Sequence, residues 1–254
     1  MSPQPKLDQL LPPAPAAITL PSPSLSTAAT LDFALRHAQA RDAVHTTLAI
    51  PSLLEALRHR NLPTITLKSA ASDRATYLRQ PHLGRTLSPA AAAALARYPL
   101  TPASHPLPVS LLSIILADGL SALAVDRHAI PLLDALLPLL TAFTLTPIVI
   151  AEQARVAIGD PIGQTLHADL TLVLIGERPG LSSPDSLGAY LTWAPRPGRT
   201  DAERNCISNI HTQGLDYPTA AARIADLCTQ ALHRQLSGTA IKEISPQPPS
   251  TTLP

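Results

Sequence analysis

Three short segments of this sequence set a charged side chain beside glycine directly after a run of apolar residues. They are Ala117-Asp118-Gly119-Leu120-Ser121, Glu152-Gln153-Ala154-Arg155-Val156-Ala157-Ile158-Gly159-Asp160 and Gly176-Glu177-Arg178-Pro179-Gly180. Glycine lets a backbone approach a ligand closely, and a charged neighbour can then hydrogen-bond it, so such loops suit binding chemistry. Glu177 is an acceptor for N–H and O–H groups. Arg155 and Arg178 can reach an anion or a protein partner, or form surface ion pairs worth under about 1 kcal/mol. Taken alone, Gly176 to Gly180 reads first as a tight turn with a solvated Glu-Arg pair and only second as a ligand loop. Nucleotide chemistry lacks its signatures, since neither Gly-x-Gly-x-x-Gly nor Gly-x-x-x-x-Gly-Lys-Ser/Thr occurs. Cys206 and Cys228 are far apart, without Cys-x-x-Cys spacing or a His pair at ligand distance, so neither a zinc site nor a disulfide scaffold is indicated and a reducing cytoplasm fits.

These loops need strands to carry them. Val109 to Ala117 is a continuous apolar run, Ile130 to Phe143 reads as a helix, Pro147 to Ile150 as a short strand, Leu170 to Ile175 as a strand ending at Gly176, and Ala189 to Trp193 as another. Strands without polar alternation, interleaved with helices, indicate a parallel sheet covered on both faces. The expected fold is therefore α/β, a doubly wound Rossmann-like parallel sheet, with the ligand crevice beyond the carboxyl ends of its strands. A last helix is expected from Thr219 to Gln235.

Ahead of this unit, residues 30–108 read as a helical segment. Leu31, Leu35, Val44, Leu48, Leu53, Leu54 and Leu57 recur at helical intervals, and Ser88-Pro89 opens an Ala-rich helix through Tyr98. A polar insert from Asp73 to Arg85 interrupts it. The division is thus a Pro/Ala-rich flexible leader over 1–29, the helical segment over 30–108, the main domain over 109–240 and a flexible tail over 241–254.

Composition narrows the partners. Nineteen basic against eighteen acidic side chains give a net charge of +1, so no strong field favours nucleic acid or an anionic membrane. The apolar content is 45% but aromatics are only 3%, which makes the core one of Leu, Ala, Val and Ile. The leader has neither a basic start nor an unbroken apolar stretch, which argues against export. Ala135 to Ala151 is interrupted by Pro138 and Pro147 and is too short to span a bilayer, which needs about 20 residues.

Leu174-Ile175-Gly176-Glu177-Arg178-Pro179-Gly180-Leu181 with Ser186-Leu187 after it, and Asn205-Cys206-Ile207-Ser208-Asn209-Ile210-His211, resemble motifs of the ethanolamine ammonia-lyase small subunit. Gly84-Arg85, Ala117 to Ser121 and Arg155 to Gly163 follow that family's order as well, so the resemblance spans about residues 70–235. It implies an adenosylcobalamin-dependent lyase that converts ethanolamine to acetaldehyde and ammonia. A large subunit carries the substrate and catalytic residues, and the small subunit completes the cobalamin site with a Rossmann-like domain. The cofactor contacts the resemblance implies here are Val156, Glu177 and Cys206, with no catalytic residue and no metal ligand in this chain. Glu177 would accept from a corrin amide or ribose hydroxyl, Val156 offer an apolar surface, and Cys206 a small soft one.

Two stretches qualify this reading. Asp126-Arg127-His128-Ala129-Ile130-Pro131 is similar to the Asp-x-His-x-x-Gly signature of enzymes whose histidine ligates cobalt, but proline replaces the glycine, and Asp126 reads as the cap of a helix starting there. Some members of the family enter a bacterial microcompartment by an N-terminal amphipathic helix. Here Lys6 to Leu11 is cut off by Pro12 and Pro13, which leaves encapsulation open beside the bacterial cytoplasm. The rival function is a stand-alone cobalamin-binding or delivery module without lyase activity, and a nicotinamide oxidoreductase is third.

Overall fold

The computed structural model describes residues 26–98 and 110–241. The Lys6 to Leu11 segment, the leader up to residue 25 and the tail from residue 242 lie outside the described residues. Helix α1 (Thr27–His45) is capped by the Ser26 hydroxyl, which accepts from the Ala29 amide, and buries only Ala43. Helix α2 (Ile50–Arg58) buries Leu53 and Leu57, one turn apart. Next come strand β1 (Thr64–Lys68), helix α3 (Arg74–Arg79) capped by Asp73, and helix α4 (Pro89–Ala96) capped by Ser88. A strand was not foreseen among residues 30–108. Thr64-Ile65-Thr66-Leu67-Lys68 alternates polar and apolar residues strictly, a strand signal passed over because the run is only five residues long and follows leucines at helical spacing; the strand pairs with a partner roughly 80 residues further along.

The remainder runs β2 (Ser110–Ala117), α5 (Ala122–Leu136), β3 (Phe143–Leu145), β4 (Ile148–Glu152), α6 (Gly159–Thr165), β5 (Leu170–Gly176), β6 (Leu187–Trp193), β7 (Arg204–Ile210) and α7 (Tyr217–Arg234). The seven strands form one sheet in the order β1-β4-β2-β5-β6-β7, with β3 beside the start of β2. From β1 to β5 all pairings are parallel, and every residue of β5 is buried, as expected of a strand covered on both faces.

The expectation of a parallel sheet needs correction. β6 runs antiparallel to β5, and β7 antiparallel to β6, so the sheet is mixed. A parallel return requires a crossover of a dozen or more residues, usually a helix. The ten residues between Gly176 and Leu187 contain no helix, so the chain turns back on itself. β7 itself was not foreseen, because only Arg204, Ile207 and Ile210 are buried, a spacing of three in place of strand alternation, and the segment lies inside the motif read for chemistry.

Helices cover both faces. Leu132, Leu133 and Leu136 of α5 and Ile224, Leu227 and Ala231 of α7 share one apolar cluster with Leu53 and Leu57 of α2. On the other face Ala91 and Leu95 of α4 and Ile162 of α6 pack against Ile115, Val149 and Val173. The helix expected from Ile130 begins eight residues earlier, capped by Ser121, and Pro131 sits inside it. Asp126 is therefore no cap of its own helix. Its carboxylate accepts from the Ala49 amide, 3.1 Å away, at the start of α2. Among the described residues no helix is long and apolar enough to cross a membrane.

Candidate functional site

Because β4, β2 and β5 are adjacent and parallel, the loops leaving their carboxyl ends emerge side by side. They enclose a cleft of about 420 Å³ lined by Gly119, Leu120, Arg155, Val156, Ile175 to Arg178 and Tyr190. All three charged, glycine-flanked segments thus meet at one place. Asp118 fastens two of them: its buried carboxylate accepts from the Gln153 and Ala154 amides, both at 2.9 Å. Arg74 adds a bond of 2.9 Å to the Gly119 carbonyl and comes within 3.5 Å of Asp118. The third segment is joined by the Leu120 amide, which donates to the Gly176 carbonyl at 2.9 Å. Hydrogen bonds to a charged group contribute about 1.5 to 3 kcal/mol each, so the cleft floor is a braced unit.

Val156 starts a single 3₁₀ turn, Val156–Ile158, and presents an apolar side chain to the cleft. Beside it Arg155 is anchored by its amide to Gly84 at 2.7 Å, and its guanidinium lies 4.4 Å from the centre of the Tyr77 ring. Its Nε is buried and has no hydrogen-bond partner among the described residues. Tyr77 is fully buried and donates to the Ala154 carbonyl at 3.1 Å, so the polar insert backs the cleft from behind.

Glu177 is the first residue after β5. Its amide donates to the Ser186 carbonyl, and its Oε2 accepts from the Ser186 hydroxyl at 2.7 Å and from the Asn209 amide at 3.1 Å. Oε1 has no hydrogen bond from the described residues and stands beside Gly188, where an added Cβ would be 3.0 Å from it. The loop bearing Ser186 is held by the Ser121 hydroxyl to Pro184, and through Asp185 by Arg127 and His128. Burial lowers the His128 pKa despite the Asp185 carboxylate.

Cys206 does not line the cleft. It pairs with Tyr190 across β6 and β7, is exposed, and has its Sγ 3.2 Å from the Ser208 hydroxyl. The structure therefore brings Val156 and Glu177 together and sets Cys206 one strand further out, with Tyr190 between. Tyr190 was not singled out beforehand, although a lone phenol in the apolar run of β6 was a usable signal. Burial, with the Cys206 sulfur and the Glu177 carboxylate nearby, pushes its pKa up, so it remains a neutral hydroxyl able to donate. Arg178 lies exposed at the cleft mouth. His211, considered as a helix-end residue, instead sits in the turn after β7, nearly buried and six residues ahead of α7.

The two thiols differ sharply in access. Burial pushes the Cys228 thiol up to about 12. A disulfide reagent is therefore expected to titrate one thiol quickly in the native chain and two in denaturant. Two fast native equivalents would show that α7 opens readily.

Comparison with known proteins agrees with the motif order. Residues 4–242 match the family model described as "Ethanolamine ammonia-lyase light chain". The chain is 52% identical over 235 residues to the "Ethanolamine ammonia-lyase small subunit" of Azotobacter vinelandii, covering 92% of this chain and 86% of that one. It is 49% identical over 249 residues to the Bradyrhizobium diazoefficiens protein of the same name, covering 95% and 93%. The Pseudomonas paraeruginosa protein so named is 48% identical over 235 residues, covering 92% and 85%. With nearly its whole length matched in this way, the chain belongs to the ethanolamine ammonia-lyase light-chain family.

Proposed function

We propose that this chain, as the small subunit of an adenosylcobalamin-dependent ethanolamine ammonia-lyase, grips the cofactor at its interface with the large catalytic subunit. The observation that carries the reading is the state of Glu177, whose Oε2 is held by Ser186 and Asn209 while Oε1 is left to a ligand. Corrin amides and ribose hydroxyls are donors that such an oxygen accepts.

The rest of the cleft fits an edge of the same cofactor. Val156, Leu120 and Ile175 offer apolar surface, Tyr190 a neutral donor, and Arg155 a cation at the cleft wall. The cofactor supplies a cobalt–carbon bond whose homolysis starts radical chemistry, and the protein supplies position and exclusion of water. Glu177 sets orientation by accepting a hydrogen bond, Val156 excludes water, and Cys206 extends the contact past Tyr190. None of the three moves a proton in the reaction. A corrinoid is much larger than a cleft of about 420 Å³, which favours completion of its site by a second subunit.

The contacts fall within residues 109–240, and residues 30–108 back them through Arg74 and Tyr77. The adjacent parallel strands β1, β4, β2 and β5, with loops gathered at their carboxyl ends, favour a Rossmann-like ancestry for that part of the sheet. Two free thiols suit the bacterial cytoplasm, inside or outside a microcompartment.

Acetaldehyde formation from ethanolamine and adenosylcobalamin tests the reading with this chain alone, the large subunit alone, and the mixture. Activity is expected only in the mixture. Glu177→Ala is expected to weaken cofactor affinity roughly ten- to a hundred-fold, corresponding to about 1.5 to 3 kcal/mol. A mixture that assembles and stays inactive would favour a cobalamin-binding or delivery module.

A further inference from the structure

We propose that Asn209 and His211 are positioning residues for the Glu177 carboxylate, an inference that rests on the cofactor-gripping role given to Glu177 above. It starts from a defect in the sheet. β6 and β7 pair Leu187 with Ile210 and Ala189 with Ile207, so Ser208 and Asn209 together face Gly188. Such a bulge re-aims the backbone of its strand and is common beside binding sites.

Asn209 adopts the left-handed conformation, with φ of 62°. Few side chains tolerate it, and asparagine is among those that do. In this conformation its amide donates to Glu177 Oε2 at 3.1 Å, and its carbonyl accepts from the Leu215 amide at 2.8 Å. The side chain is tied as well, since His211 Nε2 lies 2.9 Å from Asn209 Oδ1. The Gln213 amide donates to His211 Nδ1 at 3.3 Å, so the proton belongs on Nε2, which donates to Asn209 and sits 3.3 Å from the Ser183 hydroxyl. Gly214 leaves room for the ring: a Cβ there would stand 2.4 Å from Nε2.

His211 therefore holds the Asn209 side chain, the bulge holds the Asn209 amide, and the amide holds one Glu177 oxygen so that the other stays free. Neither residue lines the cleft, and both act through Glu177.

The test is equilibrium binding of adenosylcobalamin to the complex with the large subunit, followed by absorbance, for two Asn209 variants with and without Glu177→Ala. Asn209→Ala loses the tie to His211 and disfavours the left-handed backbone, and it is expected to weaken binding roughly threefold to tenfold. Asn209→Gly also loses the tie but keeps the backbone conformation, and it is expected to recover part of the affinity lost in the alanine variant. His211→Phe, which fills the site without donating and leaves Asn209 in place, loses only the tie and should weaken binding about as much as Asn209→Gly. In the Glu177→Ala background none of the three should add a further loss. Equal losses in both backgrounds, or glycine as harmful as alanine, would overturn the inference while leaving the role of Glu177 standing. Unchanged binding in Glu177→Ala alone would remove that role and this inference with it.

Discussion

Gly176→Ala is expected to destabilise the chain by about 3 kcal/mol or more, at the upper end of the cost of overpacking. A Cβ at this position would lie 1.9 Å from the Ser121 carbonyl oxygen, 2.6 Å from its carbon and 2.7 Å from the Asp118 carbonyl oxygen. All three are backbone atoms, so no side chain can swing aside. Gly119 repeats the problem from the opposite loop. It has φ of +57°, and a Cβ there would stand 2.2 Å from the Gly176 carbonyl oxygen. The methyl group must push the two loops apart, break the Leu120 to Gly176 hydrogen bond and displace Glu177. Thermal unfolding should show a drop of roughly 6 to 12 °C, and under the role proposed for Glu177 cofactor affinity should fall as well. A melting temperature within a degree of the parent would mean that the loops separate freely.

The second large effect is expected away from the cleft. Arg204 at the start of β7 makes a bidentate ion pair with Asp160 of α6, at 2.8 and 2.7 Å, and also bonds the Thr192 hydroxyl and the Arg199 carbonyl. The two side chains are 2% and 3% exposed, so bulk salt screens them little. Asp160→Ala should cost about 3 kcal/mol, because it leaves a buried guanidinium with only the exposed Asp201 carboxylate, 3.6 Å from Nε, as counter-ion. Removal of the arginine should cost less: a lone carboxyl can take up a proton, whereas guanidinium cannot shed one. Joint replacement by leucine and methionine should recover most of the loss, since an apolar pair of similar volume avoids desolvation altogether. Urea unfolding midpoints at constant slope check all three variants. A small effect of Asp160→Ala would mean that water enters beneath β7.

The sequence was most legible where one physical signal dominated. Continuous apolar runs placed β2 and β5 within a residue or two, and Ser88-Pro89 marked the start of α4. The carboxyl-end rule for parallel strands placed Val156 and Glu177 at one cleft. Elements that depend on distant partners were harder to read. β1 alternates polar and apolar residues, but over only five positions and beside leucines at helical spacing, so the helical signal around it outweighs its own and pairing with β4 defines it. The start of α5 was misplaced because Pro131 suggests a first turn, whereas the packing of Val125, Ala129 and Leu132 carries the helix through it. The direction of β6 depends on a missing crossover helix, a matter of loop length that strand composition does not report. Asn209 in its bulge and the Asp118 bracket were unreadable for a related reason: each is defined by backbone amides from another segment.

The pairing of β1 with β4 bears on the order in which the molecule is built. Thr64 must find Ile148 across roughly 80 intervening residues, and the entropy of closing so long a loop makes that contact costly to form early. β2, β4 and β5 share their hydrogen bonds over shorter separations and can assemble first. Helix α3 follows β1 in the chain and brings Arg74 and Tyr77 to the back of the cleft, so those two residues arrive late. A nascent chain is thus expected to set its central strands before β1 docks and the wall behind the cleft is complete.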